Sequence, residues 1–148
     1  MANIISFTPK LALKTNIQIA TSGSVAGTPL RWLRTEGLLI FFLSILLYSR
    51  TAASWWLFLV LLLVPDIAMA GYWIGSRWGA IFYNVAHSYV GPALCAGAAL
   101  LGYHQNWIPY CLIWTAHIGM DRGMGYGLKY PEAFKTTHLG HLGSPKTA

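Results

Sequence analysis

The chain has 148 residues, 55% of them hydrophobic and only 9% charged, with a mean hydropathy of +0.50. Soluble domains carry roughly 25% charged residues, so this composition excludes a soluble globule, a disordered chain, a coiled coil and a disulfide-rich module. Ten Lys and Arg against four Asp and Glu give a net charge of +6, but no basic run is dense enough to suggest nucleic acid, and the excess reads as membrane topology.

In chain order, residues 1–30 come first, rich in Ser, Thr, Gly and Ala, with two lysines and no acid. They are expected to form a polar cytoplasmic arm, ordered only where a partner holds it. The same basic, acid-poor make-up also suits a transit peptide. Four apolar segments follow, at about 34–48, 52–70, 78–103 and 106–123. A helix needs roughly 20 residues to cross a hydrocarbon core of about 30 Å, so the second and third suffice and the others need flanking residues. The expected fold is an all-α membrane protein: an up-down bundle of four transmembrane helices over residues 31–128 and a cytoplasmic tail over 129–148.

Orientation follows from charge. Lys10, Lys14, Arg31, Arg34, Arg77, Arg122, Lys129, Lys135 and Lys146 share the side of both termini, and Arg50 stands alone on the other. This distribution predicts cytoplasmic termini in an inner membrane, with lipid and other membrane subunits as partners and no nucleic acid. Cys95 and Cys111 fall within apolar segments without ligand spacing and read as buried thiols.

Asp66, Asn84, His87, His117 and Asp121 interrupt these segments, and Glu36 opens the first. An Asp at the centre of a span costs about 2.5–3.5 kcal/mol, so such residues need partners. At about 1.5 Å per residue, His87 lies ~13 Å inward from Trp78, and the polar residues of all four segments fall in one cytoplasmic layer. His117 and Asp121 are four apart, on one helix face. Gly119, Gly123 and Gly127 repeat every fourth residue on roughly the opposite face, where small residues admit a neighbouring helix. Pro65 frees a carbonyl beside Asp66.

Two carboxylates and two imidazoles at one depth suit a single divalent metal ion, with Asp66, His87, His117 and Asp121 as ligands. Glu36, Asn84 and His138 are the candidates to support them from outside. A hydrogen-bonded network balanced by Arg34, Arg77 or Arg122 is the alternative for the same residues. In the tail, His138 and His141 have HxxH spacing on a helix that Pro131 would begin.

PDIAMAGY (65–72), YNVAHSYVGP (83–92), WTAHIGMDRGMGYGLKYP (114–131) and FKTTHLG (134–140) resemble the domain-of-unknown-function family 4260 over about residues 33–142. The resemblance implies a small four-span bacterial membrane protein and no established activity; His141 departs from the pattern. A looser similarity is to the LexA-binding inner-membrane metal-dependent hydrolases. It rests on Pro65-Asp66, His87-Ser88 and His117-x3-Asp121 in that order, without the Asp-x-Asp-His continuation those enzymes carry after Pro-Asp.

Two functions are compatible with this pattern. One is an accessory subunit docked by its helices and arm in a larger respiratory or photosynthetic membrane complex. The other is a membrane-embedded metal-dependent hydrolase acting on a lipid-linked ester or phosphoester.

Overall fold

The computed structural model describes residues 24–102, 104–131 and 136–141. The expected arm, apart from residues 24–30, therefore lies outside the described residues. The body is helical. α1 spans Gly27–Tyr48, with Pro29 tolerated in its first turn, so the helix starts inside the stretch expected as arm. α2 spans Trp55–Leu61, capped by the Ser54 side chain, and a 3-10 helix continues from Val64–Trp73. α3 spans Ser76–Ala86, α4 Val90–Leu100 and α5 Ile108–Met124, the last preceded by a short 3-10 turn at Gln105–Trp107.

Two expected continuous segments are broken. Pro65 cannot donate to the carbonyl four residues back, and the second segment changes from α to 3-10 geometry beside it. The third stops at Ala86 and restarts at Val90, because the Val90 amide turns to the Ser88 hydroxyl at 3.2 Å. One stretch among the described residues, Trp55–Trp73, is long and apolar enough to cross a membrane on its own, with mean hydropathy 1.8 over 19 residues. α3 and α4 have 11 residues each, about half a bilayer apiece.

Neighbouring segments run antiparallel. Arg34, Leu38 and Phe41 of α1 meet Met124, Gly123 and Gly119 of α5 in reverse order. The 3-10 helix and α3 form a hairpin in which Asp66 meets His87 and Tyr72 meets Gly79. α4 and α5 pair at Gly91 against Trp114 and at Cys95 against Cys111, whose sulfurs are 2.6 Å apart. The two cysteines, read from sequence as separate thiols, thus face each other across two helices.

The surface carries many large apolar side chains, and the interior mixes apolar with polar residues. α1 buries Gly37, Ser44 and Tyr48 and exposes Leu39, Phe42 and Leu46. Trp56 and Trp73 are 78% and 91% exposed. A compact apolar cluster of Tyr48, Phe58, Ile113 and Ala116 holds α1, α2 and α5 together at one end.

The tail is not a helix. β1 (Thr136–Thr137) and β2 (Gly140–His141) form a tight antiparallel hairpin with Gly140 at φ +125°. The hairpin is tied to the bundle: Lys129 bridges Thr137, the Val25 amide donates to the His138 carbonyl at 2.8 Å, and Leu139 is buried. This local pairing displaces the helix that HxxH spacing suggested. The His141 side chain lies outside the described residues.

Candidate metal centre

Three elements bring the four expected ligands together. Asp66 lies in the first turn of the 3-10 helix, His87 caps the C-terminus of α3, and His117 and Asp121 project from α5. One ligand atom from each lies within 4.8 Å of all the others. His87 Nε2 is 3.1 Å from His117 Nε2, 3.3 Å from Asp66 Oδ1 and 3.5 Å from Asp121 Oδ2. His117 Nε2 is 3.8 Å from each of those carboxylate oxygens. A tetrahedron of ligands at zinc-type bond lengths of about 2.0–2.2 Å has edges of about 3.3–3.6 Å, within the range of these spacings.

Hydrogen bonding sets the roles. His87 Nδ1 lies 2.9 Å from the Tyr83 carbonyl, which can only accept, so the ring proton sits there and the Nε2 lone pair faces the cluster. The Tyr83 ring stacks on the His87 ring at 3.7 Å, and its hydroxyl donates to Asp121 Oδ2 at 3.3 Å. Arg122 donates to the His87 carbonyl at 3.3 Å and approaches His138 Nε2 at 2.8 Å. His117 Nδ1 is buried without a hydrogen-bond partner among the described residues.

Burial is uneven. His117 and His87 are 0% and 3% exposed, whereas the Asp66 side chain is 43% exposed and forms the open side. Asp121 is held from behind: Gly125 at φ +97° ends α5, and the Tyr126 amide donates to the Asp121 carbonyl at 2.8 Å.

The expected supporting residues are differently placed. Glu36 is exposed beside buried Gly37 and lies outside the cluster, because α1 turns its glycine rather than its carboxylate towards α5. Asn84 clamps the Lys129 backbone, donating to its carbonyl at 2.9 Å and accepting from its amide at 2.7 Å; it orders the tail. His138 reaches the centre through Arg122 and accepts from the Leu128 amide at 2.8 Å. Gly119 and Gly123 are helix-packing residues, closing on Gly37, Leu38 and Phe41. Gly127 is past the end of α5 and instead makes room for the His138 ring.

Tyr83, Lys129 and Gly37 were not foreseen. Tyr83 stands four residues before His87, a spacing that signals a shared face. The Lys129 ammonium is buried over the Tyr83 ring, 4.5 Å from its centroid. Desolvation lowers the Lys129 pKa, partly countered by the charges of Asp121 and Asp66.

No curated protein and no solved structure gives a significant match to this chain. The model of the family described as domain of unknown function 4260 matches residues 30–142, a stretch that includes all four clustered residues. The chain therefore belongs to the DUF4260 family.

Proposed function

We propose that this chain is a membrane-embedded metalloprotein in which Asp66, His87, His117 and Asp121 hold one divalent cation. A cation held there would supply Lewis-acid activation of water against a lipid-linked ester or phosphoester. The water oxygen bonds to the acyl carbon or phosphorus, the ester bond breaks, and the leaving alkoxide takes the proton that water gives up. The observation that carries this reading is the His87 ring. Its Nδ1 proton is committed to a backbone carbonyl, and its Nε2 lone pair meets two carboxylate oxygens and a second imidazole. A cation at their centre would be held by the His87 Nε2 lone pair, both carboxylate oxygens and, in its Nδ1–H tautomer, His117 Nε2.

The membrane reading has four spans, formed by α1, by α2 with its 3-10 continuation, by α3 with α4, and by α5. Its support is the exposed leucine and tryptophan surface and the nine-to-one distribution of basic residues. Both termini are then on the cytoplasmic side of an inner membrane. The accessory-subunit reading depends on the arm, and residues 1–23 lie outside the described residues.

The test is metal analysis of protein purified in mild detergent, with co-purifying chains identified. The expected result is one divalent ion per chain, lost in His117→Ala. A folded chain without metal, carrying fixed partner chains, would overturn the metal reading in favour of the accessory subunit.

A further inference from the structure

An apolar groove of about 380 Å³ opens beside the centre, walled by Leu61, Pro65, Ala68, Ala86, Ile113 and Trp114. Its size is at the lower end for small-ligand pockets, which span about 300–1,000 Å³. The same two helix breaks that deliver Asp66 and His87 create it. On one wall, Pro65 and Ala68 flank Asp66 at the change from α to 3-10 geometry. On the other, Ala86 precedes His87 where α3 ends.

The groove is built rather than incidental. With the Val90 amide turned to Ser88, the Ala86 carbonyl instead accepts from the Trp114 indole N–H at 2.6 Å. That bond fixes the indole as the floor. Gly91 is needed for it, since a methyl group there would collide with the Trp114 ring. Ile113, 1% exposed, continues the floor. None of the four clustered residues lines the groove, but Pro65 and Ala86 immediately precede Asp66 and His87, and Ile113 stands one turn before His117 on α5, so the groove adjoins the centre on all three elements.

From this adjacency we propose that the groove seats one hydrocarbon chain of a lipid substrate, placing the ester or phosphoester of its head beside Asp66. The inference rests on the metal-centre reading and names the part of the substrate that this site holds. Amphiphiles divide in the same way as the site, with a polar head at the ligands and a chain along an apolar wall.

Photolabelling tests it. The full chain is placed in phosphatidylethanolamine–phosphatidylglycerol vesicles with a phosphatidylglycerol carrying a diazirine in its acyl chain, and cross-linked sites and bound metal are measured together. Labelling is expected to concentrate on Leu61, Val64, Ala68 and Tyr110, to saturate near one lipid per chain, and to be displaced by unlabelled lipid. Ala68→Phe should lower it at least five-fold with metal content unchanged. Val64→Phe, at an exposed wall position, serves the same purpose if Ala68→Phe does not fold. Even, non-saturating labelling of Leu59, Val85 and Leu94 overturns the seat, and with stoichiometric metal it leaves the metal centre standing. Saturable groove labelling on a chain that holds no metal supports the seat and overturns the metal centre instead.

Discussion

At the scale of single residues, His87 and Tyr83 act as one unit. Tyr83 fixes the His87 tautomer through its carbonyl, supports the ring by stacking and binds Asp121 through its hydroxyl. Tyr83→Phe removes the last contact alone. It should fold normally and weaken metal binding about ten-fold, the lower end for loss of an outer-shell partner, as read by metal titration. Asp121→Asn removes the charge of a proposed ligand and should abolish stoichiometric binding in the same assay. His138 carries a separate prediction, for the tail. Burial, and then Arg122, hold its pKa below the ordinary 6.5. The docked hairpin therefore favours the neutral ring, and the released tail takes up a proton more readily. Docking should weaken as pH falls through about 6.5 and level off below the pKa of the docked ring. Amide exchange at Leu128 and His138 should accelerate across that window; exchange independent of pH, after correction for intrinsic rates, would remove His138 as the cause.

At the scale of elements, helix contact and helix interruption have different sequence signals. The α1–α5 contact is glycine against glycine: an added Cβ at Gly119 would lie 2.8 Å from the Gly37 carbonyl. Gly119→Val should lower thermal stability by about 1–3 kcal/mol, a typical overpacking cost. Gly97→Ala meets nothing within 4 Å and should leave the unfolding midpoint unchanged or slightly raised. Equal effects from the two variants would mean that close packing is not what Gly119 provides. The four clustered residues were legible because depth and i, i+4 spacing are local properties of a helix. Asn84 was not, because its partner is a backbone 45 residues away. Pro65 announced its break, while the break at His87 depends on a Ser88 hydroxyl replacing a helix carbonyl, which no hydropathy pattern records. The hairpin was missed because HxxH spacing is indifferent to whether strand or helix carries it.

At the scale of the whole molecule, leucines and tryptophans cover the outside, while the interior holds histidine, serine and an aspartate beside an apolar cluster. In the proposed topology, single-cysteine variants Lys10→Cys and Lys146→Cys should react with a membrane-impermeant maleimide only after the cytoplasmic side is opened. Labelling of either in intact cells would reverse or break that topology. The antiparallel hairpin between the 3-10 helix and α3 also bears on how the protein is made. In the proposed topology Asp66 would enter the bilayer before α5 is made, when the residue available to it is His87, one hairpin away. Its cost in lipid is relieved if these two segments enter as a pair, with the ring of Tyr72 against Gly79 bringing them together. His117 and Asp121 emerge from the ribosome last. In that topology the hairpin would carry half of the proposed centre into the membrane, and the final helix would supply the other half.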